Sequence, residues 1–475
     1  MLNIRHIVGA VLLFCNGLIK IINESKDFYE LEKGVYELCQ KVCNQIFIWA
    51  LEQMDTRLMN ERDRETWEVI GFRKKDAIST FGEFTYRRRL YRNKKTGETR
   101  FLLDDLLGWP IRAKITPRLR EIAVKLSTEM SFRRVAEILS QLFPNISTMT
   151  IWKIVKDLGE TLKQESEEKR TEIFEEGKLP QGQEITSTLC IESDGVMIRL
   201  QRAENKIGEI KHLVAYEGKE KIGHERYALK NKIVVSGLAD SQTMWEETYA
   251  KAGSKWDLNR VERVYIGGDG ADWPKEGLEY FPGAEYRLDP YHISKHLIEA
   301  LWYDEETFNE VREAIYQSDF EKTQETLKEE IKKTKGNRRK KVIALLDYLT
   351  ENWEGIAALN EEGRLGTIEG QIQHNIARRM KRLGARWSTS GGDRIARILV
   401  ERANGELEKY ILRWPMEQRK FKEVAQIKSE EKKGVEDIEE WLRVSLPALK
   451  GPCAGRPWVK YVLKELSHVS VAAII

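Results

Sequence analysis

Two short apolar runs constrain this chain more than anything else in it. One is Leu189-Cys190-Ile191-Glu192-Ser193-Asp194-Gly195-Val196-Met197-Ile198; the other is Arg263-Val264-Tyr265-Ile266-Gly267-Gly268-Asp269-Gly270. Their apolar and β-branched content predicts strands, and each carries an aspartate directly followed by glycine. Aspartate is disfavoured inside strands and costly to bury unpaired, so both positions need a reason. Glycine lets the backbone turn without a Cβ clash, so the acid beside it can project into a cleft. Either aspartate alone reads as a turn residue. As a pair at the ends of two central strands, Asp194 and Asp269 point to a carboxylate metal site. Glu369 is the third candidate, in the first turn of a helix that Thr367 is expected to cap. The helix dipole favours an acid there for structural reasons too.

The surrounding pattern supplies a scaffold. Residues 210–216 and 227–237 read as second and third strands, 241–252 as a helix capped by Ser241, and 285–289 as a fifth strand after the Asp269 run. Three strands, a helix, a strand, a helix and a strand make a mixed sheet with helices packed on it, the order of ribonuclease H-like nucleases. Residues 305–359 are helical and highly charged, with the stretch 332–341 almost entirely basic.

The first half carries a different character. Apolar residues recur at helical spacing over 28–59. Residues 81–92 then read as a strand with a return strand at Phe101-Leu102-Leu103, and Arg87, Arg88 and Arg89 make a basic patch suited to DNA phosphates. Residues 116–162 read as helices opened by Thr116-Pro117 and by Ser131, with a break at Phe143-Pro144-Asn145-Ile146. After it, Ser147 or Thr148 caps a helix with Ile151, Ile154, Val155 and Leu158 facing inward. Short helices around a tight break match a helix-turn-helix, whose second helix would bring Thr148, Thr150, Lys153 and Lys156 to DNA.

At 475 residues the chain should form several domains. Its 33% charged and 41% hydrophobic residues exclude a disordered or membrane protein, while a net charge of +3 says nothing about nucleic acid. Five scattered cysteines, including Cys453, are no disulfide framework and fit a reducing cytoplasm. Cys39 and Cys43, one helical turn apart, read as helix core. The apolar run at residues 7–15 is too short to span a bilayer and reads as a buried first helix.

The motif blocks Gly268-Asp269-Gly270-Ala271-Asp272-Trp273, Leu288-Asp289-Pro290-Tyr291-His292, and Glu369-Gly370 with His374, Arg379-Met380 and Trp387-Ser388 occur in one order. With them the chain resembles the ISLre-type bacterial insertion-sequence transposases, of the DDE group and distantly similar to the Mutator-like enzymes. The resemblance implies a ribonuclease H-like core with an all-helical insertion, and Asp194, Asp269 and Glu369 as the catalytic, metal-binding acids. Asp289, His292, His374 and Trp387 become active-site neighbours, and Arg378 and Arg379 phosphate contacts.

It further implies two magnesium ions about 3.5–4 Å apart, with manganese able to substitute. The implied partners are double-stranded DNA (terminal inverted repeats and target) and a second copy of the chain or more, with no membrane, in a bacterial cytoplasm at the nucleoid.

The expected class is therefore multidomain α+β. The expected divisions are an N-terminal helical region (1–78), a basic β-hairpin region (79–112), the helix-turn-helix (113–162) and a charged linker (163–186). Then follow the core (187–302), the helical insertion (303–362), the rest of the core (363–405) and a helical tail (406–475). Two other readings stay open: a nuclease of this fold without strand transfer, and a non-enzymatic helix-turn-helix regulator.

Overall fold

The computed structural model describes residues 4–142, 146–224, 226–357, 365–382 and 384–413, and its architecture is mixed α/β. Helices α1 (Ile4–Glu24) and α2 (Phe28–Glu61) form an antiparallel hairpin in which Gly17 lies against Leu38 and Gly34 against Ile21. The apolar stretch expected to be buried is not. Of residues 8–15 only Ala10 is buried; Val8, Val11, Leu12, Leu13 and Phe14 are exposed, as are Phe28, Cys39 and Cys43.

Strand β1 (Trp67–Ser79) pairs antiparallel with β2 (Gly82–Asn93), turning at Thr80-Phe81. Period-2 alternation sends Phe84, Tyr86 and Arg88 inward, where Phe84 and Tyr86 pack with Leu51, Leu58 and Trp109. The expected return strand at 101–103 is a correction. Strand β3 is only Thr99–Arg100, and Leu102 and Leu103 open helix α3 (Leu102–Leu106), which buries both.

Helices α4 (Pro117–Ser127), α5 (Phe132–Leu142) and α6 (Thr148–Phe174) follow. Ser131 Oγ accepts from the Arg134 amide at 3.3 Å and Ser147 Oγ from the Thr150 amide at 3.1 Å, as N-cap residues do. Of the expected break between α5 and α6, residues 143–145 lie outside the described residues. Helix α6 buries Ile151, Ile154, Val155 and Leu158 and continues through the 162/163 division to Phe174. Gly159 is pressed so close to Arg394 that a Cβ there would sit 2.5 Å from the arginine's.

The central sheet contains β4 (Thr188–Arg199), β5 (Ile207–Tyr216), β8 (Ile233–Gly237), β9 (Arg263–Gly268) and β10 (Glu285–Leu288). Its order is β10-β9-β4-β5-β8, with β10, β9 and β4 parallel and β5 antiparallel to both β4 and β8. The single strand expected over 227–237 is divided. Strands β6 (Gly218–Gly223) and β7 (Arg226–Lys230) form a separate ribbon, and Asn231 turns the chain with φ +52° before β8.

One face of the sheet packs on α7 (Ser241–Lys255), capped by Asp240 rather than Ser241, through Leu189, Ile191, Leu213, Met244 and Trp245. The other face, with Cys190, Val196, Ile198 and Tyr216, packs on α6 and on helices from the far end of the chain.

Helices α8 (Asp272–Lys275) and α9 (Gly277–Tyr280) bridge β9 to β10. Helices α10 (Pro290–Leu301), α11 (Glu305–Tyr316), α12 (Phe320–Lys333), α13 (Gly336–Glu351) and α14 (Trp353–Ala357) form a helical unit with its own core of Leu297, Val311, Leu327 and Leu345. A continuous helical run follows, of α15 (Ile368–Ile372), one π turn (Gln373–Ala377) and α16 (Arg378–Met380), then α17 (Thr389–Ala403) and α18 (Leu407–Arg413). The expected tail from 414 onward, with Cys453, lies outside the described residues. Among the described residues no helix is long and apolar enough to cross a membrane.

Candidate active site

Asp194 stands in the middle of β4 rather than at its end, opposite His212 of β5. The parallel register of β4 with β9 closes on Glu192 against Gly267, so two residues further on Asp194 and Asp269 come level just as β9 ends. The chain turns there: Gly270 has φ +98°, and a Cβ on it would crowd Asn352 and Tyr348 at 3.1 Å. The turn is fixed by the Asp269 carboxylate accepting from the Ala271 amide at 3.0 Å and the Asp269 carbonyl accepting from Tyr348 Oη at 2.9 Å.

Asp289 closes β10 beside them. Its amide donates to the Gly268 carbonyl at 2.8 Å, and its carboxylate caps α10 by accepting from the Tyr291 amide at 3.0 Å. His292 lies in the first turn of that helix, and its buried Nε2 has no hydrogen-bond partner among the described residues.

The acids feel one another. Burial pushes the Asp194 carboxyl up to about 6; the Gly195 amide and His292 act against the rise, and the charges of Asp269 and Glu369 add to it. Burial also raises Asp289, again with Glu369 contributing. The exposed Glu369 thus acts on both buried aspartates.

What brings the Glu369 helix to the sheet is a residue the sequence reading passed over. Glu192 is buried on the same face of β4 as Asp194. Its carboxylate accepts from the amides of Gly366 at 2.8 Å, Thr367 at 2.6 Å and Ile368 at 3.1 Å, and from the hydroxyls of Thr367 and Tyr216. Thr367, expected to cap the helix, makes no side-chain cap bond; Glu192 satisfies those first amides instead. The available signal was an acid at an apolar strand position, two residues before Asp194.

Past Glu369 the π turn displaces the helix, an irregularity common at functional sites. Asn375 of this turn meets the buried His212 Nε2 at 3.3 Å, and burial drives that imidazole down to about 3, so it is neutral at physiological pH. His374 is exposed.

Among the described residues no three histidine, cysteine or acid side chains stand close enough to form a ready metal cage. The donor chemistry still suits a hard cation. Magnesium is commonly held by one or two carboxylates with water and substrate phosphate completing its shell. Asp194 and Asp269 offer two such carboxylates, and a cation beside them would offset the burial and the like charges that raise Asp194.

The expected DNA contacts divide. Arg88 is corrected to a structural role: it is buried, bonded to Asp104 and stacked 3.8 Å over Phe101. Arg89 is likewise paired with Asp55 at 2.5 Å. Arg87 is exposed over Phe72. Thr148 and Lys153 are exposed on α6, Thr150 bonds with Ser147, and Lys156 lies 5.4 Å over the Trp152 ring. Arg378 is exposed. Arg379 is held between Phe132 and the buried Trp387, its Nε donating to the Ser127 carbonyl at 2.8 Å.

A sequence profile described as an uncharacterised protein family, UPF0236, matches residues 21–418, a span that includes every acid above. The chain belongs to the UPF0236 family. A UPF0236 protein of Streptococcus gallolyticus, named for its position in the vanSb 3′ region, is 28% identical over 409 residues, covering 82% of this chain and 86% of the relative. Another, from Caldanaerobacter subterraneus subsp. tengcongensis, is 27% identical over 392 residues, covering 81% and 80%. A further one from that organism is 26% identical over 392 residues, again covering 81% and 80%, and its name joins eleven locus numbers.

Proposed function

We propose that this UPF0236 protein is a DNA transposase of the DDE type, binding the ends of its own mobile element and cleaving and joining strands with Asp194, Asp269 and Glu369. The observation that carries the reading is the convergence of Asp194 and Asp269 on adjacent parallel strands, with Glu369 close enough to raise Asp194. A sheet whose first three strands are antiparallel neighbours and whose last two add in parallel beyond the first supports a ribonuclease H-like core. Helices α5 and α6, with Thr148 and Lys153 exposed, support a helix-turn-helix reading of DNA. One family name spread over eleven loci of a single organism supports a gene that copies or moves itself.

Asp194 and Asp269 would hold magnesium, or manganese in its place. When bound, the ion supplies Lewis-acid activation of the attacking oxygen and charge stabilisation of the leaving one. The chain does the rest. Asp194 and Asp269 would set the cation's position at the end of β9, and Glu369 closes the site from its helix. The exposed Arg378 neutralises backbone phosphate nearby. Joining two ends calls for a dimer or larger assembly.

The decisive experiment uses duplexes carrying the DNA that flanks the gene, incubated with magnesium and a target plasmid. Strand cleavage and joined product are expected with the wild type and neither with Asp194→Asn, while both proteins bind the duplex alike. Cleavage without joining would make the protein a nuclease; undiminished activity in Asp194→Asn would remove the site altogether.

A further inference from the structure

Where α5 and α6 meet the corner between α16 and α17 there is a cavity of about 270 Å³ whose lining the chemistry above does not use. Its walls are aromatic. Phe132 and Trp387 meet edge to face with centroids 6.4 Å apart, and Trp152 projects from α6 with 41% of its surface exposed. Its rim is cationic. Lys156, Arg379, Arg386 and Arg394 all line it, and of these Arg394 is engaged with Glu160 at 2.6 Å. Among the described residues no carboxylate is bonded to the Arg379 guanidinium, which sits 4.9 Å from the Trp387 ring. Burial lowers it only to about 10, so it remains a cation. Ser388, capping the 15-residue helix α17, also lines the cavity and adds the positive end of that helix.

We propose that this cavity captures one unpaired nucleotide at a DNA end, its base stacked on Trp152 and its phosphate held by Arg386 and Lys156. The proposal rests on the transposase reading and names where an opened strand goes. Flat apolar walls accept any aromatic ring, and the cationic rim selects one that carries an anion; a nucleotide is both. A paired base cannot enter, because its two faces are covered by its neighbours in the stack, whereas an unpaired one can swing out. The location suits a strand end. Arg379 follows Glu369 by ten residues on one helical run, about 15 Å at 1.5 Å per residue. On α6, Met149 and Lys153 are exposed as Trp152 is.

The test uses the full chain with two duplexes of one sequence, each bearing 2-aminopurine, in one fully paired and in the other placed in a single-nucleotide overhang. Stacking on tryptophan quenches this base. The expected result is quenching of the overhang base alone and about tenfold tighter binding of the overhang duplex. Trp152→Ala should abolish both, and Lys153→Ala should weaken the two duplexes equally. Overhang quenching that survives in Trp152→Ala, or no preference for the overhang, overturns the proposal. If Asp194-dependent cleavage persists in that case, the cavity assignment fails alone; if no duplex of either kind is bound, both readings fail.

Discussion

The Glu192 carboxylate receives the Thr367 amide at 2.6 Å, joining the strand that carries Asp194 to the helix that carries Glu369 across 175 residues of chain. Glu192 is buried, and so are its bonds from the Ile368 amide and the Tyr216 hydroxyl, so a lost acceptor leaves donors unsatisfied. Glu192→Gln keeps the shape but turns an amide toward those donors. It should cost about 2–3 kcal/mol of stability, and cut magnesium-dependent cleavage in the folded fraction at least about tenfold while duplex binding holds. Thermal melts beside single-turnover cleavage would read both, and unchanged cleavage in a destabilised protein would reduce Glu192 to a purely structural residue.

Asp194 should give the protein a pH signature. Its carboxyl is held at about 6 against an ordinary value of 3.8, so the fold favours the protonated form. The stabilising contribution is full below about pH 4 and is lost as pH rises through about 6. Asp194→Asn stays uncharged and escapes that loss. Without divalent ions it should therefore be more stable than the wild type above about pH 7, by up to about 3 kcal/mol, and equal to it near pH 4. Melting temperatures across that range decide it; a gain that is largest at low pH contradicts the burial argument.

Much of this site is legible in sequence because strands expose their period locally. Asp194 and Asp269 stand out as acids in apolar runs, and the helical stretch after Asp289 shows its own repeat. What is not legible depends on partners distant in sequence. Glu192 looks like one more strand acid until residues 366–368 arrive to use it. Arg88 and Arg87 are indistinguishable in a run of arginines, yet alternation along β2 buries one against Asp104 and leaves the other in solvent. The helix at Leu102 replaces a strand for the same reason, since Leu102 and Leu103 find their core on α2 and β2 rather than in a ladder.

That division of the basic run makes opposite predictions for two cations. Arg88→Ala strips Asp104 of one of its two buried cations, leaving only Lys75, and breaking a buried pair costs about 3–5 kcal/mol. The loss should appear in melting, with the salt dependence of DNA binding unaltered in the folded protein. Lys153→Ala should leave melting alone and lower the slope of log affinity against log salt by about one. A binding defect in Arg88→Ala with normal stability would return that residue to the DNA surface.

The far edge of the sheet offers a stability test that should spare the chemistry. Arg397 of α17 donates through both terminal nitrogens to Glu247 of α7 at 3.0 Å, and through Nε to Asp393 at 3.2 Å. Asp393 in turn accepts from the Leu238 amide just past β8 at 3.0 Å. These bonds join helices on opposite faces of the sheet around its β8 edge, and all three side chains are buried. Arg397→Met leaves two acids without their cation and should cost about 3–5 kcal/mol, whereas replacing Glu247 with Gln and Asp393 with Asn in the same chain should recover most of it. Cleavage per folded molecule should stay at the wild-type level, because the acids act from β4 and β9. Melting curves paired with active-fraction titration measure both quantities, and a drop in per-molecule cleavage that the triple variant does not restore would place Arg397 in the catalytic apparatus.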